Sequence, residues 1–218
     1  MTADHAPGTK RAADLVPPGL ADDLFVRGPA PMTKAEVRAV TMAAARLRPG
    51  ERALDVGAGT GSLTVEAALL CGPGEVVAVE RSAAARELLR ANLERFRLGG
   101  VTVVAGAAPA ALAGLGTFDA IFVGGSGGDL AAILAALPGL LRPAGRLVCN
   151  TVCLETTATA TATLRRPPWA SFACSQVAVA RGVAAGPLLR FEALNPVWVS
   201  SARLEEPGEG DESIGGAR

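Results

Sequence analysis

The chain has 218 residues, 50% of them apolar and 19% charged, and its 21 basic residues are balanced by 21 acidic ones. That composition excludes a disordered polymer and suits one domain with a sizeable core. Zero net charge argues against a generic electrostatic grip on nucleic acid, which needs a basic face.

Residues 1–21 are rich in Ala, Pro, Gly and charge and read as a mobile leader. The leader has no continuous apolar stretch of signal-peptide type. It also carries His5, the single histidine of the chain. No uncharged apolar run approaches the ~18 residues of a membrane span, so a cytoplasmic protein is expected. With no second domain in the leader, a stand-alone protein is expected too.

The domain proper is expected over residues 22–203. Thr33 followed by Glu36 reads as a capping box, opening a helix whose apolar face is Val37, Val40, Ala44 and Leu47. Strand signals follow at RALDV (52–56), EVVAVE (75–80), VTVVA (101–105), AIFVG (120–124) and RLVCN (146–150). Helical spacing separates them at 62–71, 83–98 and 129–141. Strands alternating with helices of this length imply a parallel sheet with right-handed crossovers and helices on both faces. Beyond Thr151, the Thr/Ala alternation at 156–166 does not separate strand from helix, although its place in the series favours a helix that ends at Arg165 and Arg166. SFACSQVAVA (171–180) and PVWVSSA (196–202) then read as strands joined by a Gly/Arg/Pro-rich connection, an antiparallel edge on the sheet. Residues 204–218 read as a disordered acidic tail. Cys71, Cys149, Cys153 and Cys174 lack CxxC spacing and are expected to be buried free thiols, with no metal site.

The chemistry centres on LDVGAGTGSLTVEAA (54–68). A strand ending in Asp-Val runs into glycines at 57, 59 and 61, ahead of an apolar helix. A dinucleotide fingerprint wants G-x-G-x-x-G; here Ser62 holds the third place and Gly61 comes one residue early. Asp55 would repel a pyrophosphate but suits a cation such as the ammonium and sulfonium of S-adenosylmethionine. Glu80 ends the neighbouring strand, where a carboxylate takes both hydroxyls of a ribose. Three readings remain: an S-adenosylmethionine site, a nicotinamide or other nucleotide site, and a purely structural turn. Asp55 and the G-x-G-x-G spacing favour the first. VGGSGGDL (123–130) stands where amino-methyltransferases of nucleobases carry Asn/Asp-Pro-Pro-aromatic, so that chemistry is excluded in its usual form. NPVW (195–198) echoes the motif only superficially, at the wrong place. No cysteine stands near that loop to attack a pyrimidine, and no histidine base is in sight, which suggests an acceptor that is already nucleophilic.

PMTKAEVRAVTM (31–42), LDVGAGTGSLTVE (54–66), VAVE (77–80), GAAPAAL (106–112), FVGGSGGDL (122–130), the run from Asn150 and ALNPV (193–197) occur in an order that resembles one family. It is the C15-methylating, decarboxylating methyltransferases of cobalamin biosynthesis, found alone or as the C-terminal domain of precorrin-6Y C5,C15-methyltransferase. The resemblance implies a class I, Rossmann-like S-adenosylmethionine-dependent methyltransferase sheet, mostly parallel with an antiparallel edge. It also implies methyl transfer to C15 of a precorrin or cobalt-precorrin with loss of carbon dioxide from the ring C acetate.

Carried over by position, Thr33 would approach the methyl donor, Gly57, Ala58, Gly59, Thr60 and Gly61 would wrap its methionine end, and Asp55 would face its cation. Glu80 would hold the ribose and the Ala107–Ala108 backbone the adenine; the family often has an acidic residue in this segment, which here reads Gly-Ala-Ala-Pro. Gly124, Gly125, Ser126 and Gly127 would admit the flat substrate. Asn150, Thr151 and Glu155 follow the fifth strand on the ligand-bearing rim, as substrate positioners or as local caps. Arg27, Arg181 and Arg190 would meet the carboxylates of a tetrapyrrole. The resemblance further implies a homo-oligomer, tetrameric by analogy, and a C5-methylating partner. Two rival functions stand beside it: a class I methyltransferase for another small molecule, RNA or protein, and a non-catalytic S-adenosylmethionine-binding partner of a C5-methylating protein.

Overall fold

Short apolar runs, mostly rich in β-branched residues, become the strands of a computed structural model that describes residues 17–72 and 74–206. β1 (Ala53–Val56), β2 (Val76–Glu80), β3 (Val101–Ala105), β4 (Phe118–Val123) and β5 (Leu141–Thr151) pair in parallel. β1 and β2 are buried at every position, as parallel strands covered on both faces should be. β6 (Trp169–Val177) and β9 (Val197–Leu204) complete a seven-stranded sheet in the order β3-β2-β1-β4-β5-β9-β6. β9 lies antiparallel to both β5 and β6, so the expected antiparallel edge is present.

Two layers of helix cover the sheet. α1 (Ala35–Ala45), α2 (Ser62–Cys71) and α3 (Ala83–Arg95) lie on one face, packing Val37, Leu63 and Leu89 against Val76, Ala78 and Phe122. α4 (Leu130–Ala136) and α5 (Leu154–Leu164) lie on the other, with Ile133, Leu134 and Leu164 against Val77, Ile121 and Leu147. The chain winds outward from β1 to β3, returns to β4, and winds out again. The order therefore reverses between β1 and β4, and ligands of such sheets bind beyond the carboxyl ends of strands at that reversal.

Several elements differ from the sequence reading. Thr33 does not cap α1. The N-cap is Lys34, without a side-chain cap bond, and the Thr33 carbonyl instead accepts from Arg38 Nη1. Helix α3 stops at Arg95, because Arg97 takes a left-handed conformation (φ 57°). The helix expected over 129–141 is α4 plus a 3₁₀ turn containing Pro138, and Leu141 already belongs to β5. The connection expected between the late strands is itself a hairpin, β7 (Ala180–Ala185) and β8 (Leu188–Ala193), paired as a separate two-stranded sheet. Its two-residue loop uses Gly186 at φ 61°, as tight hairpins require.

At the edges of the domain, Gly19 and Leu20 fall inside the folded body although they were assigned to the leader. Their backbone N–H groups donate to the Glu66 carboxylate, and Leu20 is buried. Likewise Leu204 ends β9, and Glu205 N–H donates to the Pro168 carbonyl. Residues 1–16 of the expected leader, including His5, and residues 207–218 of the expected tail lie outside the described residues. Only Cys71 and Cys149 are buried thiols; Cys153 and Cys174 are exposed, which corrects the expectation for all four. No described helix is long and apolar enough to cross a membrane.

Candidate functional site

The glycine turn leaves β1 at Val56 and enters α2 at Ser62, and its glycines do different work. Gly57 (φ 73°) lies against the loop after β4: a Cβ there would sit 2.2 Å from the Gly125 carbonyl oxygen. Gly124 N–H donates to the Val56 carbonyl at 3.0 Å, so the two loops flanking the reversal point are joined. Gly61 (φ 78°) faces away from that junction; a Cβ would fall 2.1 Å from Leu89 Cδ1. Its role is the close packing of α3 on the turn, the task of the third glycine in a dinucleotide fold. Gly59 has the open surroundings that a ligand needs, with the Pro31 carbonyl oxygen nearest at 3.5 Å from the missing Cβ. Thr60 is buried, and its carbonyl accepts from Asn92 Nδ2 at 2.9 Å.

Glu80 ends β2 next to this turn and is 8% exposed. Its Oε2 accepts from Gly59 N–H at 2.9 Å and its Oε1 from Ser82 N–H at 2.8 Å. Each oxygen is thereby fixed and keeps a further lone pair for a ligand hydroxyl.

Asp55 lies behind the turn and does not line the open cleft. Its register partners are Ala78 on β2 and Phe122 on β4. Oδ2 accepts from Thr64 Oγ1 at 2.6 Å, while Oδ1 is buried without a hydrogen-bond partner. Burial pushes its carboxyl up to about 6; the Thr64 hydroxyl partly opposes the shift and the neighbouring Glu80 charge adds to it. A buried carboxylate with one orphaned oxygen is short of a donor or a cation.

A cleft with about 500 Å³ of empty volume opens over these groups. It brings together Gly57, Glu80, Ala107, Ala108, Gly125, Ser126 and Gly127, all anticipated as ligand contacts. Ala58, Gly59 and Gly124 stand beside it in the same two loops. Five lining residues were missed: Val79, Arg81, Gly106, Asp129 and Ile133. Arg81 was discoverable as the residue directly after Glu80. Asp129 had been read only as the start of a helix.

The remaining predicted residues are engaged elsewhere. Asn150 Nδ2 donates to Thr41 Oγ1 at 3.0 Å on the α1 side of β5, and Thr151 Oγ1 lies 2.8 Å from Thr157 Oγ1. Thr151 thus has the local partner that the capping alternative anticipated, and Glu155 is exposed in the first turn of α5. Arg181 is held by Asp22 at 2.7 Å and Glu36 at 3.0 Å, and Arg190 by its hairpin neighbour Glu192. Arg27 lies 3.5 Å from Asp22 and is half exposed. None of the three lines the cleft. The described residues contain no cluster of His, Cys, Asp and Glu that could hold a metal ion.

A family model described as the precorrin methyltransferase domain matches residues 23–202. The chain belongs to that family. The methyltransferase domain is 39% identical over 186 residues to the cobalt-precorrin-6B C(15)-methyltransferase (decarboxylating) of Salmonella typhimurium, covering 85% of this chain and 96% of that protein. A probable enzyme of the same name from Pyrobaculum calidifontis is 42% identical over 188 residues, covering 85% and 95%. Among solved structures, a precorrin-6Y C5,15-methyltransferase from Geobacter metallireducens superposes with a TM-score of 0.80 at 35% identity, over 85% of this chain and 97% of that one. A tRNA (m1A58) methyltransferase from Aquifex aeolicus shares the class I methyltransferase fold alone, with a TM-score of 0.69 at 15% identity over 87% and 77% of the two chains.

Proposed function

We propose that the domain methylates C15 of a cobalt-precorrin-6B-type tetrapyrrole from S-adenosylmethionine, with the ring C acetate losing its carboxyl group as carbon dioxide and remaining as a methyl group. The observation that carries this reading is the 39% identity that runs through nearly the whole of the Salmonella enzyme rather than through the donor-binding motif alone. The cleft is compatible with the donor on its own terms. Glu80 offers two fixed acceptors to the ribose diol, and the Ala107–Ala108 backbone lines the cleft where the adenine would pass.

When bound, S-adenosylmethionine supplies an electrophilic methyl group on a sulfonium. The task left to the protein is to hold donor and acceptor in line and to keep water out. Gly57 and Gly125 pack closely between the two loops, and Ser126 lines the cleft beside them. An electron-rich ring carbon needs no base to be deprotonated first, in keeping with a chain whose one histidine is His5.

The test is to incubate the purified chain with a C5-methylated cobalt-precorrin and S-adenosylmethionine and to weigh the product by mass spectrometry. A product gaining one methyl and losing one carbon dioxide is expected. Tight binding of S-adenosylhomocysteine with no tetrapyrrole product, in the presence or absence of a C5-methylating protein, would sink the catalytic assignment.

A further inference from the structure

Residues 17–34 reach α1 with no regular structure beyond a 3₁₀ turn at Asp22–Leu24, so side chains must hold them in place. One that does so, Asn92, stands where its residue type is costly. It lies within α3 and is wholly buried. Asparagine is a weak helix former, and burying its amide is unfavourable unless the amide is paired.

The pairing reaches outward in two directions. Oδ1 accepts from Val26 N–H at 2.7 Å and Nδ2 donates to the Val26 carbonyl at 3.1 Å, much as a neighbouring strand would. The other Nδ2 hydrogen goes to the Thr60 carbonyl in the glycine turn at 2.9 Å. Both donors are thereby used, and the reverse orientation of the amide would set its oxygen against two carbonyls. The same segment meets the turn again at Pro31, whose carbonyl oxygen is the atom nearest to the missing Cβ of Gly59. At its far end Lys34 Nζ donates to the Asn195 carbonyl, ahead of β9, at 2.7 Å. The segment thus runs from the glycine turn to the β9 side of the sheet.

We infer that Asn92 is a positioning residue that couples the glycine turn to residues 17–34, so that filling the donor site tightens that segment. This rests on the reading above that the cleft takes S-adenosylmethionine. Thr60 stands between Gly59 and Gly61, and a ligand that fixes the backbone of the turn fixes the Thr60 carbonyl with it. An amide bonded to a fixed carbonyl is held in the rotamer that also pairs with Val26. Such coupling is reciprocal, so an intact Asn92–Val26 pairing strengthens donor binding in turn.

Amide hydrogen exchange on the intact protein, with and without S-adenosylhomocysteine, tests this. Val26 does not line the cleft, so slower exchange there is transmitted through the protein. In the parent the ligand should slow exchange over residues 20–32, Val26 included; no slowing at Val26 would overturn the inference without any variant. Asn92→Leu should bind S-adenosylhomocysteine about five- to fiftyfold more weakly, and saturating ligand should no longer slow Val26. Asn92→Asp should uncouple the two in the same way, since a carboxylate still accepts from Val26 N–H but has no hydrogen for Thr60. Phe25→Leu is the control for a merely structural role, because Phe25 is buried against Phe96 with ring centroids 5.0 Å apart. It should speed exchange of the segment yet keep the slowing by ligand. Unchanged affinity in the Asn92 variants, or loss of the slowing in Phe25→Leu as well, would overturn the inference. Failure of the parent to bind S-adenosylhomocysteine at all would instead overturn the donor assignment beneath it.

Discussion

Asp55 is a carboxylate whose cost depends on pH. Buried and hydrogen-bonded on one oxygen only, it titrates near 6 in the folded protein against a usual value of 3.8. A carboxyl raised in this way contributes stability that is complete below its unfolded value and is lost as the pH rises through about 6. The two-unit gap corresponds to roughly 3 kcal/mol as an upper scale. The ligand-free protein should therefore lose stability in urea unfolding between pH 4 and 7. Asp55→Asn should flatten that slope while keeping an acceptor for Thr64, and an equally steep slope in the variant would show that Asp55 is not its source. Gly61 makes a different point at this scale. It belongs to the same motif as Gly57, yet its bare Cα serves the packing of Leu89 and no ligand. That division was invisible in the motif, because G-x-G-x-G records where a Cβ is forbidden and not what forbids it.

The segment that leads into α1 is tied down by a buried charged cluster. Arg38 is wholly buried in α1 and pairs with Glu66 of α2 at 2.7 Å and with Asp22 at 2.9 Å. It also donates to the carbonyls of Leu20 and Thr33 and lies 4.6 Å over the Phe25 ring. Asp22 in turn receives Arg181 from β7. Burial works against the Asp22 charge, but the Arg181 and Arg38 guanidinium groups outweigh it and hold the carboxyl below its usual range. Removing Arg38 would strand two buried carboxylates, so Arg38→Ala should destabilise the fold by about 3–5 kcal/mol. Urea unfolding measures this, and a loss under 1 kcal/mol would contradict the cluster's role. Limited proteolysis should find residues 17–34 cut earlier in the variant, since Glu66 and Arg38 carry their anchoring bonds. The cluster escaped sequence reasoning because Arg38 and Glu66, 28 positions apart, each sit in an otherwise apolar helix face and look like solvated charges.

Across the whole molecule, the sheet brings together what is distant along the chain. Gly57 meets Gly125 because β1 and β4 are neighbours at the reversal of strand order, and Glu80 meets Gly59 because β2 lies on β1's other side. The β7–β8 hairpin stands apart from this sheet and holds Leu188, Leu189 and Phe191 at 72–76% exposure. Side chains so exposed contribute little to the fold of one chain. Replacing all three by Ser should shift its unfolding free energy by no more than about 1 kcal/mol, as urea titration would reveal, and a larger loss would mean that they are buried in solution.

The strand–helix series from β1 to β5, the antiparallel edge, the methyl-donor motif and the family resemblance were all legible in the amino-acid sequence. Each rests on local periodicity or on residue order, which a linear text preserves. The sharing of tasks among the glycines, the partners of Asp55 and Glu80, and the capture of Arg181 by Asp22 and Glu36 came only from the tertiary structure. These depend on which side chains the sheet order and the helix layers press together, over separations that reach 159 residues. Periodicity carries no information over such distances; packing does.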